Sequence, residues 1–238
     1  MRCLAIVRCF PALALLAFPL PASAIQWLHD LNAAKERAAK QHNVLLVDFY
    51  ADWCGPCRAM DAQVWNQPEL AALSAKFVFV RLDYDRERAS AEYYEVRGIP
   101  TMLFLDAFDN KALHVLGYRS VPQMVAIMRP FPDDTTALDE MFQRARQVDD
   151  HALKLDLADR YREAGMFLLS NRFYAEAGKS KELRQDAALV EKVETWTALN
   201  LAALDDPIRA VDAVETCLEK YASSPHRPAL LLGLVRAG

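Results

Sequence analysis

The stretch Val44-Leu45-Leu46-Val47-Asp48-Phe49-Tyr50-Ala51-Asp52-Trp53-Cys54-Gly55-Pro56-Cys57 decides how this chain is read. It opens as an apolar run of strand length, with a composition suited to a strand buried on both faces of a sheet. It ends in a Cys-Gly-Pro-Cys tetrapeptide, and Arg58-Ala59-Met60-Asp61-Ala62-Gln63-Val64-Trp65 then reads as a helix. Cys54 is thus expected where a strand stops and a helix begins.

A helix N-terminus presents unpaired N–H groups and a partial positive charge. A thiolate placed there is stabilised, so its pKa falls and it becomes a nucleophile near neutral pH. Cys57 comes one turn later, within reach of a disulfide with Cys54. Gly55 is expected to allow a tight approach, and Pro56 occupies the first turn, where a missing N–H costs little. Two such thiols can exchange with a disulfide in another protein: Cys54 attacks, a mixed disulfide forms and Cys57 resolves it. A Cys-x-x-Cys pair can also be half of a zinc site, but the sequence has no second such pair and no His-x-x-x-His. A purely structural disulfide is the other plain alternative.

Trp53-Cys54-Gly55-Pro56-Cys57 matches the motif of the thioredoxin family in full, and residues from about 26 to 130 resemble a thioredoxin-fold domain. The resemblance implies an α/β fold, a central mixed sheet flanked by helices. It implies that Asp48 is the buried acid that relays a proton to Cys57. Gly98-Ile99-Pro100-Thr101 is similar to the family's loop in which a cis proline faces the disulfide, and Gly117 and Ser120 match the turn before the last helix. Trp53, Gly55, Pro56, Ile99, Pro100 and Gly117 are then expected to form the substrate-binding surface around the thiols, with the Ile99 backbone offering an edge to an extended substrate. The arrangement from Val64 to Leu70 resembles the C-terminal domain of the periplasmic transmembrane disulfide reductase.

Around this centre, Trp27, Leu31, Ala34 and Ala38 fall at helical spacing, and Asn43 is expected to end that helix. Asn66-Gln67-Pro68 breaks the helix after the cysteines. Phe77 to Leu82 reads as a strand. Its Arg81 stands where thioredoxins often carry a lysine, and a guanidinium that holds its charge firmly would keep Asp48 ionised, unless Arg81 points to solvent. A strand Thr101–Leu105, a turn at Asp109-Asn110 and a returning strand to Leu116 complete the sheet, and Val121 to Met128 closes it as a helix.

The chain has 238 residues, is 53% hydrophobic and carries a net charge of −4, ample for a core and not basic enough to suggest nucleic acid. Residues 1–24 read as a signal peptide, with Arg2 and Arg8, an apolar run from Phe10 to Leu20 and the cleavage-type triplet Ala22-Ser23-Ala24. Its loss would take Cys3 and Cys9 with it and leave a mature chain of charge −6, two arginines fewer than −4. Retention as an anchor is the alternative. A secretory signal points to an oxidising compartment, the periplasm. The expected domains are 25–130, a linker and connecting helix over 131–150, and an all-α region over 151–238. The small and aromatic residues of that last region resemble tetratricopeptide helix pairs. It is expected to pack on the first domain, either as a surface for a protein partner or as a structural extension. Cys217, between Val214 and Leu218 on a helix, reads as a buried thiol.

The sequence thus predicts a thiol–disulfide oxidoreductase with Cys54, Cys57 and Asp48 as catalytic residues and no cofactor or metal. Its partners would be disulfide-bearing proteins and a membrane electron donor. An oxidant or isomerase using the same cysteines, or a scaffold working through the helices, are the alternatives.

Overall fold

Alternation along one strand organises the structure, a computed structural model that describes residues 25–204 and 207–237. The expected signal segment with Cys3 and Cys9 lies outside the described residues. In β2 (Val44–Tyr50), Val44 and Leu46 enter one core, and Leu45, Val47 and Phe49 enter another on the opposite face. Both faces are covered, which is why the strand reads as continuously apolar.

The sheet has five strands in the order β1-β3-β2-β4-β5. β1 (Trp27–Leu28) and β2 run parallel to β3 (Phe77–Asp83). β4 (Thr101–Leu105) is antiparallel to β2, and β5 (Lys111–Leu116) is antiparallel to β4. The helices of this part are α1 (Leu31–Gln41), α2 (Gly55–Gln63), α3 (Pro68–Leu73), α4 (Arg88–Tyr93) and α5 (Val121–Met128). This is the expected mixed sheet with flanking helices.

One boundary, the start of the first helix, differs from the sequence reading. Trp27 is not the first turn of a helix: it pairs with Phe79 in β1, and its ring packs edge-on against Trp65 and Phe79 at 5.2 and 5.3 Å. The helix starts only after Asp30, whose carboxylate accepts the Ala33 N–H at 2.9 Å. It runs to Gln41, and His42 caps it in the left-handed region with φ 52°, just ahead of Asn43.

After α5 only helices follow among the described residues: α6 (Thr136–Gln147), α7 (His151–Glu163), α8 (Phe167–Ala177), α9 (Lys181–Gln185), α10 (Ala187–Ala202), α11 (Pro207–Lys220) and α12 (Arg227–Ala237). α7 and α8 form a hairpin in which Tyr161 stacks on Phe173. Their core is continuous with the sheet. Phe131 stacks on Phe104 of β4 at 4.8 Å, and Phe142 bridges Phe108 and Phe173. The segment between the two parts is tied down: Thr135 N–H donates to the His42 carbonyl at 2.8 Å, and Lys76 Nζ to that of Phe131 at 2.6 Å. A separate small core of Ala198, Val214, Cys217 and Leu230 holds the last three helices together.

Candidate active site around Cys54 and Cys57

Cys54 is the residue on which α2 begins. Its backbone is extended (φ −74°, ψ 106°), and its Sγ accepts the backbone N–H of Cys57 at 3.1 Å. The two cysteines form a disulfide with Cα atoms 5.3 Å apart, within the usual range. Both are buried, at 3% and 2% exposure, against Ala51, Tyr50 and Ile99. The strand-to-helix junction therefore delivers a sulfur to the positive end of a helix, with one N–H already aimed at it.

The predicted surface residues gather here. Trp53 is 64% exposed, and its Nε1 donates to Asp85 Oδ2 at 2.7 Å. Pro56 stands in the first turn of α2 and is exposed. The Ile99–Pro100 bond is cis, Ile99 packs beside the cysteines and Pro100 is buried. Gly117 N–H donates to the Pro100 carbonyl at 2.7 Å, and its φ of +88° suits glycine. The expected role of Gly55 is corrected: a Cβ there would meet nothing within 4 Å, so no tight approach inside the protein requires glycine.

Asp48 lies under this surface at 2% exposure, opposite Arg81 in the β2–β3 register. Arg81 does not point to solvent. Its Nε donates to Asp48 Oδ2 at 3.1 Å, and its two terminal nitrogens grip both oxygens of Asp61 at 2.9 and 3.2 Å. The guanidinium is stacked 4.1 Å from the Tyr50 ring centroid and 5.3 Å from that of Trp27. Asp48 Oδ1 has no hydrogen-bond partner among the described residues. Burial pushes the Asp48 carboxyl up from 3.8 to about 7, against the opposing pull of Arg81 and with a further push from Asp61. Arg81 thus pulls Asp48 toward its ionised form in the expected direction, but the cation is shared with Asp61 and desolvation outweighs it.

Asp61, Tyr50 and Asp85 were not singled out by the sequence. Asp61 sits four residues after Cys57, on the same face of α2 by helical spacing, a local cue that became meaningful only with Arg81 in place. Cys217 is free and buried in the far helical core, where burial raises its pKa, and it takes no part in this site. Among the described residues no three His, Cys, Asp or Glu side chains cluster as metal ligands.

The sequence model of a family described as thioredoxin-like matches residues 26–107. Thioredoxin-1 of Drosophila melanogaster is 37% identical over 83 residues, covering 35% of this chain and 74% of that protein. Thioredoxin-2 of Pyricularia oryzae is 40% identical over 107 residues, 42% of this chain; the chain spans only 57% of its length. The oxidised C-terminal domain of Neisseria meningitidis DsbD is similar to 42% of this chain and is itself 95% covered, with 26% identity and a TM-score of 0.39. The match to three quarters of the Drosophila thioredoxin at 37% identity, with the disulfide at the mouth of α2, settles the family: the chain belongs to the thioredoxin-like family.

Proposed function

We propose that the protein is a thiol–disulfide oxidoreductase that reduces disulfides in other proteins, in the periplasm or after secretion. The observation that carries this reading is Cys54 Sγ at the head of α2, accepting the Cys57 N–H while bonded to Cys57. In the reduced protein the same N–H and helix end stabilise a Cys54 thiolate. That thiolate attacks a substrate disulfide. One substrate sulfur leaves as a thiolate and takes a proton, and Cys54 is held in a mixed disulfide. Asp48, its pKa near neutrality, accepts the Cys57 proton. The Cys57 thiolate attacks the Cys54 sulfur, the second substrate thiol departs, and the protein is left with the Cys54–Cys57 disulfide. Two electrons have passed to substrate, so an external reductant, in this compartment a membrane electron donor, has to restore the dithiol.

Trp53, Pro56, Ile99, Pro100 and Gly117 supply the docking surface, and Gly55 leaves open space above the redox helix for a partner. Periplasmic location rests on residues 1–24 alone. The direction of electron flow is tested by the reduction potential of the Cys54–Cys57 pair with Cys217 changed to Ala. A value near about −270 mV supports a reductant, and one near about −120 mV an oxidant or isomerase. Cys57→Ser is expected to trap mixed disulfides with substrates; its failure to do so in cells would refute the resolving role.

A further inference from the structure

β5 is the outer strand of the sheet and runs in the same direction as β2, so its last residue, Leu116, lies at the end of the sheet that carries Cys54. Leu116 is 48% exposed. It stands opposite Thr101, the residue after cis-Pro100, and a Cβ on Gly98 would come within 3.3 Å of its Cδ1. Tyr118, two residues on, is also exposed and donates to Gln63 of α2 at 3.4 Å. Leu116 and Tyr118 thus extend the exposed apolar rim of the thiol site outward to the edge of the sheet.

From that rim a cleft of about 470 Å³ runs back along β5. Lys111, His114 and Leu116 form one wall; Leu168, Leu201 and Leu204 give the other its apolar surface, with Arg209 of α11 at its border. Five strand steps separate Lys111 from Leu116, about 16 Å, the length of roughly five extended residues. The helical region creates this cleft, since α8 lies against β5 and α10 against α8.

We propose that the cleft between β5 and helices α8 and α10 is an extension of the thiol site that holds an extended, apolar segment flanking the substrate cysteine. The proposal rests on the reading of Cys54 as the attacking thiol. As Cys54 meets the substrate sulfur, the residues flanking that cysteine come against the leucines of the cleft in the same encounter, so the contact is already made as the attack proceeds. The helical region would thereby select among disulfide proteins that the thiols alone treat alike.

The test uses the reduced full chain and two synthetic peptides, each with one cysteine in a mixed disulfide with thionitrobenzoate. One carries leucines two to five residues from the cysteine on both sides, and the other carries serines there. Attack of Cys54 on the peptide sulfur releases thionitrobenzoate, whose absorbance gives the rate, and Cys57 then frees the peptide thiol. The leucine peptide is expected to react about tenfold faster, the scale of burying one leucine side chain. Leu168→Asp and Leu201→Asp should each bring the ratio toward one. Neither side chain belongs to a core cluster, and the rate with dithiobis-nitrobenzoate, which reports the thiols alone, should be unchanged. A wild-type ratio near one, or a ratio intact in both variants, overturns the proposal. Failure of the wild type to react with dithiobis-nitrobenzoate would instead sink the thiol reading on which it rests.

Discussion

Asp48 is a carboxyl in the interior whose strongest influence is loss of water rather than its cation. Its pKa of about 7 carries a defined sign for stability. Between the unfolded value of 3.8 and about 7 the folded chain binds more protons than the unfolded one, so stability falls as pH rises through that window. The full penalty is present above it, and none below the unfolded pKa. Asp48→Asn should therefore be more stable than wild type at pH 8 by on the order of 2–4 kcal/mol, with the gap closing toward pH 4. Urea denaturation at the two pH values checks this, and a gap independent of pH would contradict the assignment. Arg81 is held by Asp61 as well as by Asp48. Asp61→Asn should release the guanidinium toward Asp48 and remove a repelling charge, lowering the Asp48 pKa; carboxyl NMR titration of Asp48 reads this directly, and an unchanged or raised midpoint would contradict it. The placement of Cys54 and Cys57 was legible because it follows from a strand and a helix adjacent in the chain, whereas Asp48 was picked out only through the resemblance to thioredoxins. Asp61 and Asp85 were not, because they act on residues 20 and 32 positions away.

At the scale of elements, the strand β2 and helix α2 were legible from an unbroken apolar run and from the residues that open a helix. Trp27 was misread because a large apolar residue fits a helical pattern by spacing, whereas its ring is better buried beside Trp65 and Phe79 in β1. The start of α2 makes a testable claim of its own. With the Cys57 N–H on its sulfur, reduced Cys54 should titrate below the usual range of a free thiol, as read from thiolate absorbance. A midpoint at or above the free value would mean that the helix end does not act on it. The turn between α7 and α8 offers a second test. Gly165 has φ +72°, and a Cβ there would meet Pro130 at 3.0 Å. Gly165→Ala should cost at least about 1–2 kcal/mol from the left-handed backbone alone, seen as a lowered denaturation midpoint. An unchanged midpoint would show that the turn relaxes freely.

On the scale of the molecule, the helices are built onto the sheet rather than hung from it. The segment after α5 looks like a linker because of its Pro and Asp residues, yet Phe131 within it is buried between sheet and helices. A single aromatic among turn residues gives no periodic cue, so this junction was not legible. Phe142→Ala is expected to destabilise by about 3–5 kcal/mol and to do so in one transition seen alike by tryptophan fluorescence and helical circular dichroism. Two separated transitions would mean that the parts fold independently. The whole assembly serves one claimed act, the passage of two electrons between Cys54–Cys57 and a protein disulfide. Its most direct test is turnover of a protein disulfide, insulin with dithiothreitol as the electron source, by the mature wild type and by Cys54→Ser. The account predicts catalysis well above the dithiothreitol background for the wild type and none above it for the variant. Equal rates for the two proteins would contradict it.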